Sequence, residues 1–244
     1  MRGSRVRSYV DTDTVKQSLL KAANHRLYPS LSDPSYLVLR SRRLIFSRWL
    51  KRFEGKNLIV LDIGGKYQPY RPLLDGRVDS YIAIDLVKTP LVTVVGNGEA
   101  LPFRPESCDM VIMTQVMECF RDPLTAVRQI HNVLKPGGVL LASVPACAPR
   151  FVEQELWRFT RRGLLKMLAP FAQVDIVPEL YSVSSFLRTI NLAMNSFAHY
   201  EAARAVYRRT MCPVVNVLGL ALEGLRLTSN DQFTANYSVF AVKG

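Results

Sequence analysis

The chain is poor in most of the residues that staple or anchor small proteins. Among its 244 residues there are four cysteines, Cys108, Cys119, Cys147 and Cys212. They are far apart, form no C-x-x-C pair and follow no secretory leader pattern. That argues against a disulfide framework and a thiolate metal site, and points to a reducing cytoplasm. No apolar run approaches the roughly 20 residues that cross a bilayer; the longest, Val214 to Leu222, falls well short. Internal repeats and low-complexity stretches are missing, which excludes solenoid, collagen-like and wholly disordered chains. Histidine occurs three times, so few imidazoles can serve as bases. Acidic residues are outnumbered, 20 Asp and Glu against 32 Lys and Arg, for a net charge of +12.

Nearly half the chain, 48%, is apolar, and a single domain of this length buries roughly 70% of its unfolded surface. The positive charge is concentrated. Residues 1–56 hold thirteen Lys and Arg against four Asp and Glu, a net +9. Such a segment attracts nucleic-acid phosphates, anionic lipid headgroups or acidic substrates through the same field, or is simply a solvated basic face. Residues 12–25 and 34–53 have helical spacing and are expected to cap the sheet edge, which makes residues 1–56 a basic helical N-terminal cap.

From Asn57 onward, short apolar runs alternate with helix-length stretches. NLIVLDIGG, SYIAIDL, LVTVV, CDMVIMTQV and GVLLASVP read as buried strands. Before the last of these, Asp122 is placed to cap a helix that Pro123 begins, with Leu124, Val127, Ile130 and Leu134 at helical spacing. FTRRGLLKML reads as a helix behind a Thr160 cap, AQVDIVPEL as a strand and NYSVFAVKG as the closing strand. Strands alternating with helices make a parallel sheet with helices on both faces, with functional loops at the carboxyl ends of the strands. The interval of about 181–234 is far longer than an ordinary connection and is read as a helical insertion in a domain of residues 57–244.

The chemistry-bearing residues begin at Asp62-Ile63-Gly64-Gly65, a glycine turn after the first strand, and at Asp85, which ends the second. Each has two readings. The glycines are a plain turn or a close approach to a ligand, and the acid is a helix cap or an acceptor for ribose hydroxyls. Then follow Gly96-Asn97-Gly98-Glu99-Ala100-Leu101-Pro102-Phe103, Ser107-Cys108-Asp109, Val116-Met117-Glu118 and Val133-Leu134-Lys135-Pro136-Gly137-Gly138. In this order the series resembles the class I S-adenosylmethionine-dependent methyltransferases, in a branch reading D-x-G-x-G, an acid, A-L-P-F, S-F-D-x-V, L-E-H and V-L-K-P-G-G. The resemblance covers about residues 57–178. Arg158-Phe159-Thr160 with Gly163-Leu164 also resembles an R-F-T-x-x-G-L element of a bacterial subset.

The resemblance implies a Rossmann-like seven-stranded sheet, mostly parallel with an antiparallel last strand. It implies S-adenosylmethionine as cofactor and S-adenosylhomocysteine as by-product. Carried over by position, Asp62, Gly64 and Gly65 line the methionine end and Asp85 holds the ribose. Leu86 and Leu101 flank the adenine, Asn97, Gly98 and Glu99 lie beside it, and Thr114 and Gln115 lie below the methionine. Lys66 and Gln68 stand where relatives carry glycine, and Lys66 can pair with the cofactor carboxylate; Gly65-Lys66-Tyr67-Gln68-Pro69-Tyr70-Arg71-Pro72-Leu73 fits a variant of the loop. Cys119 replaces the histidine of L-E-H. No metal is required.

Candidate proton acceptors are His199 in the insertion and Glu153 and Glu155 past the fifth strand, with Arg158 placed to pair with one of the two glutamates. The insertion mixes Phe186, Leu187, Ile190, Met194, Phe197, Tyr200 and Tyr207 with Arg188, Arg204, Arg208 and Arg209, a pattern that suits an apolar lid rimmed by arginines or an ordinary packed helix. The expectation is methyl transfer to a small molecule such as a glycolipid, a saccharide precursor or a lipid-like metabolite. The enzyme would be cytoplasmic and peripheral to the inner face of a membrane, meeting anionic lipid through its basic N-terminal region. An RNA methyltransferase and a non-catalytic binding protein of the same fold are the alternatives. Against RNA stands TQVMEC after the fourth strand, in place of an N/D-P-P-Y tetrad.

Overall fold

The computed structural model describes residues 11–74, 76–197, 200–224 and 230–244. Seven strands form one sheet, β1 (Leu58–Ile63), β2 (Val78–Asp85), β3 (Val94–Val95), β4 (Cys108–Thr114), β5 (Leu134–Pro145), β6 (Gln173–Pro178) and β7 (Asn236–Val242), in the order β3-β2-β1-β4-β5-β7-β6. The pairings from β3 through β5 are parallel, while β7 runs antiparallel to both β5 and β6. This is the expected Rossmann-like sheet with its antiparallel last strand. The strand order reverses between β1 and β4, so a crevice opens there at the carboxyl ends.

The apolar runs are continuous because both faces of the sheet are covered. Leu61, Ile63, Val111, Met113, Leu140 and Ala142 point to one face, under α3 (Pro123–Val133) and α4 (Arg161–Met167). Their alternate neighbours Val60, Met110, Ile112, Val139 and Leu141 point to the other, against Ile45, Phe46, Trp49 and Leu50 of α2 (Tyr36–Arg52). The expectation of an edge cap is therefore corrected. Helix α2 lies across the sheet face, because Ile45, Phe46, Trp49 and Leu50 form an apolar stripe that covers the central strands, and α1 (Thr12–Leu27) adds Leu27. The predicted caps form: Asp122 Oδ1 accepts from the N–H of Leu124 at 3.0 Å, and Thr160 Oγ1 from that of Gly163 at 3.1 Å. Strand β5 starts earlier than expected, at Leu134, and takes in Lys135-Pro136-Gly137-Gly138 through a register shift opposite Cys108 and Met110.

The insertion consists of α5 (Ser182–Phe197), α6 (Glu201–Arg209) and α7 (Met211–Gly224). Its burial is inverted. Helix α7 buries Cys212, Asn216 and Gly219, at i, i+4 and i+7, toward α2, where a Cβ on Gly219 would stand 2.6 Å from Leu37 Cδ1. Its Met211, Val214, Val217 and Leu218 are exposed. Helix α5 likewise buries Ser184, Ser185, Arg188 and Asn191 and exposes Phe186 and Met194.

Candidate functional site

The crevice is built from the turn after β1. Gly64 has φ of +75°, and the N–H groups of Gly64 and Gly65 both donate to Ile84 O, at 2.8 and 3.2 Å. A Cβ on Gly64 would stand 2.2 Å from Val116 Cγ2, so a glycine lets this turn run against the segment that follows β4. A Cβ on Gly65 would stand 2.8 Å from both Ala83 Cβ and Asp62 O. The bulky residues of the loop have partners of their own. Gln68 takes the left-handed conformation itself (φ +55°) and is buried, donating from Nε2 to Leu91 O at 2.6 Å and accepting from Arg71 Nη1 at 3.1 Å. Lys66 Nζ lies 5.5 Å from the centre of the Tyr67 ring. A separate cleft of about 280 Å³ opens between α1 and this loop, lined in part by Lys16, Asn24, Gln68 and Arg71; neither Asp62 nor Asp85 lines it.

Asp62 is buried and accepts from the Tyr81 hydroxyl at 2.7 Å. Burial, opposed by that hydrogen bond and reinforced by the nearby Asp85 charge, pushes its carboxyl up to about 7. Asp85, half-buried, ends β2 and accepts from the N–H of Val87 at 2.9 Å. Beside it Leu86 is 72% exposed, while Leu101 is buried in the core. Asn97 closes a short turn, its Oδ1 accepting from the N–H of Glu99 at 3.0 Å. Glu99 turns away to receive the N–H of Asp122 at 2.8 Å and thereby ties this loop to the start of α3. Gly98 is buried where a Cβ would meet Phe120 and Ile63, at 2.7 and 2.8 Å. Thus Asp62, Gly64, Gly65, Asp85 and Leu86 surround the ends of β1 and β2, whereas Asn97, Gly98 and Glu99 shape the adjoining wall.

Thr114 and Gln115 close the other side. Gln115 has φ of +55°; its N–H donates to Ser143 O at 2.8 Å and its Nε2 to Ser143 Oγ at 3.1 Å. Ser143 Oγ in turn donates at 2.5 Å to Glu179, which also receives Ser238 Oγ (2.9 Å), Asn236 Nδ2 (3.0 Å) and two guanidinium nitrogens of Arg42 (2.7 and 3.0 Å). Burial pulls Arg42 down, but Glu179 and Tyr70 outweigh it, and the guanidinium is held charged more firmly than an ordinary arginine.

Of the expected proton acceptors, His199 lies outside the described residues. Glu153 is exposed. Glu155 is the glutamate that pairs with Arg158, and it braces its loop: its Oε1 accepts from the N–H groups of Phe151 and Val152, and its Oε2 from Arg158 Nη2 at 2.6 Å. Glu118 is the stronger candidate. It sits just beyond β4, is 3% exposed, and its Oε2 has no hydrogen-bond partner among the described residues. Burial chiefly, with Glu155 adding repulsion, pushes its carboxyl up to about 7. The loop after β5 fastens here, the N–H groups of Leu156 and Trp157 donating to Glu118 O and the Trp157 indole to Phe120 O at 2.7 Å.

Sequence reasoning missed the Arg42–Glu179 centre and the isolation of Glu118. A signal existed for Arg42, which occupies the apolar stripe of its helix between Val38 and Ile45 or Phe46. Nothing local marks Glu179 or the unpartnered oxygen of Glu118, because both depend on what the tertiary fold brings near.

The model of a family described as "Methyltransferase domain" matches residues 55–142. A Mycolicibacterium smegmatis protein named "Probable S-adenosylmethionine-dependent methyltransferase" is 28% identical over 145 residues, covering 55% of each chain. A malonyl-[acyl-carrier protein] O-methyltransferase 1 of Coxiella burnetii is 30% identical over 145 residues, 55% of this chain and 48% of that protein. The chain thus matches about half the length of these curated relatives. A solved S-adenosylmethionine-dependent methyltransferase of Archaeoglobus fulgidus superposes with a TM-score of 0.53 at 16% identity, over 83% of this chain and 94% of that one, a likeness of fold.

Proposed function

We propose, from the match of residues 55–142 to a methyltransferase domain model, that the protein transfers a methyl group from S-adenosylmethionine to a small, lipid-like acceptor and releases S-adenosylhomocysteine. The observation that carries the reading is the strand-order reversal where β1 and β4 part, with the left-handed turn at Gly64 and the carboxyls of Asp62 and Asp85 gathered at the strand ends. Those residues fit the cofactor. A buried carboxyl raised to about 7 gains from a cationic amino acid group beside it, and a strand-end carboxylate accepts from a pair of ribose hydroxyls. The exposed Leu86 offers apolar surface to a purine, and Asn97 keeps a second lone pair on Oδ1 for an exocyclic amine.

When bound, the cofactor supplies a methyl group already activated on a sulfonium. The protein's tasks are to align the acceptor, exclude water and, where the acceptor holds a proton, remove it. Alignment is worth about 7–11 kcal/mol in the best cases. Glu118 is suited to the proton, since a carboxyl near 7 is half ionised at neutral pH and has a free oxygen.

Two features support a lipid-like acceptor over RNA. The outward faces of α5 and α7 are apolar, and Arg204, Arg208 and Arg209 on the neighbouring α6 are exposed, a combination that suits an anionic bilayer surface. Several N-terminal cations are also engaged internally. Arg42 is in the Glu179 centre, while Arg26 and Arg43 stack on Tyr67 and Tyr28, at 4.1 and 4.8 Å. The test is incubation of the protein with methyl-labelled S-adenosylmethionine and separated lipid, polar-metabolite and RNA fractions of one bacterial lysate. Label is expected in the lipid fraction; label confined to RNA would overturn the acceptor assignment.

A further inference from the structure

The inner face of the insertion is polar, and among the described residues all but one of its buried polar side chains have partners. Asn191 donates to Asn216 Oδ1 at 3.0 Å and accepts from the Tyr207 hydroxyl at 2.7 Å. Asn216 donates to the carbonyls of Leu31 and Asp33, at 2.8 and 3.0 Å. Ser184 donates to Gly219 O, and Ser185 accepts from the N–H of Ala235 at 3.0 Å. Arg188, on the same helix face, is the exception. It is 2% exposed, and its Nε and Nη1 have no hydrogen-bond partner among the described residues.

A guanidinium is a planar fork of donors, and leaving it buried and unpaired is costly unless something else supplies acceptors. The groups that act on Arg188 electrostatically are Arg42, Glu179 and Asp33. Neither carboxylate is free to serve it. Glu179 is occupied by five donors, and Asp33 caps the N–H of Ser35 at 2.7 Å and faces His25 at 3.4 Å. Burial and the neighbouring Arg42 lower Arg188 to about 10, which leaves it charged at neutral pH. Over it lies Phe151 of the loop after β5, the ring centre 5.8 Å from Cζ. That loop also fastens on Glu118, beside the crevice. The surroundings of Arg188 therefore offer cation, apolar ring and unfilled donors together, at the end of the sheet where an acceptor would enter.

We propose that Arg188 is the anchor of an anion subsite that holds a carboxylate or phosphate of the acceptor, with Phe151 packed against the acceptor's apolar part. This deepens the methyl-transfer reading and rests on it for the identity of the ligand as acceptor. It also accounts for the inverted helices. Arg188 is the member of the polar inner face with donors to spare for a charged headgroup, and the outer face is apolar because it meets the phase from which a lipid-like molecule comes.

The test uses two probes that share an aromatic body, benzoate and phenyl phosphate, titrated calorimetrically into protein saturated with S-adenosylhomocysteine. The wild type is expected to bind at least one at about 1–10 mM, and the tighter of the two identifies carboxylate or phosphate. R188Q should weaken that binding at least tenfold and R188K by less, because lysine keeps the charge without the fork. Both variants should keep the S-adenosylhomocysteine affinity. The melting temperature of ligand-free R188Q should equal or exceed that of the wild type, since an unpaired buried charge has been removed. Equal probe binding by wild type and R188Q, or no probe binding by protein that binds S-adenosylhomocysteine, would overturn the anion subsite. So would a lower melting temperature for R188Q with probe binding intact, which would make Arg188 a structural residue. Arg188-dependent probe binding by protein that does not bind S-adenosylhomocysteine would keep the subsite and discard the methyl-transfer reading.

Discussion

Removing Glu179 should damage the protein more than removing the arginine it holds. Glu179 is 1% exposed and receives two hydrogen bonds from Arg42 and one each from Ser143, Ser238 and Asn236. Glu179→Ala leaves Arg42 buried with the Tyr70 hydroxyl at 3.4 Å as its remaining partner and with Arg188 nearby. Breaking a buried pair in this way costs about 3–5 kcal/mol. Arg42→Ala leaves Glu179 with its three neutral donors, and the cost falls to about 2–3 kcal/mol. At about 2–4 °C per kcal/mol for a domain of this size, Glu179→Ala should lower the melting temperature by roughly 10 °C. The paired substitution Arg42→Met with Glu179→Met should recover at least half of that loss, because no orphan charge remains. Thermal and urea unfolding followed by circular dichroism read all three. A loss below about 1 kcal/mol for Glu179→Ala, or a greater loss for Arg42→Ala, would refute the view that this centre ties the N-terminal helices to the sheet.

Three further outcomes follow from the same structure. Glu118 and Asp62 both hold their protons more tightly folded than unfolded, so the folded state binds more protons between about pH 4 and 7. Stability should therefore fall as pH rises through that window and level off above it; Glu118→Gln should remove its share, about 3 kcal/mol at most, and parallel pH–melting curves for variant and wild type would contradict this. Gly64→Ala should cost about 1–2 kcal/mol from its left-handed backbone and the contact with Val116, and Val116→Ala should return part of it in urea titrations; full stability of Gly64→Ala would deny the close approach. Replacing Met211, Val214 and Leu218 together with Ser should lower binding to phosphatidylglycerol vesicles at least tenfold in flotation assays, at about 1 kcal/mol or more per side chain withdrawn; unchanged flotation would remove α7 from the membrane contact.

The sheet was legible because its signal is local. Runs such as NLIVLD and DMVIMT are apolar throughout, as strands covered on both faces are, and the caps at Asp122 and Thr160 were readable from residue type alone. The motif residues have divided roles. Gly64, Asp62 and Asp85 gather at the crevice, but Asp109 and Lys135, from two separate motif segments, meet each other at 2.7 Å, and Asp109 also receives the N–H of Ile59. They hold β1, β4 and β5 together, a task the motif pattern does not distinguish from binding. The path of α2 was misjudged because an amphipathic stripe shows that a helix is covered without showing by what. The acceptor side was least legible. Glu155 and Glu118 are both carboxylates near strand ends, and only the fold reveals that the first has used its lone pairs on Phe151, Val152 and Arg158 while the second keeps one oxygen free.

Binding of S-adenosylmethionine where β1 and β4 part underlies every functional role assigned above, and calorimetric titration with S-adenosylhomocysteine tests it most directly. The expected result is micromolar affinity for the wild type, about 8 kcal/mol of binding free energy, and a loss of at least tenfold in Asp85→Ala with the melting temperature nearly unchanged, since Asp85 is half-buried at a strand end. No heat up to millimolar ligand, or equal affinity in wild type and Asp85→Ala, would contradict it.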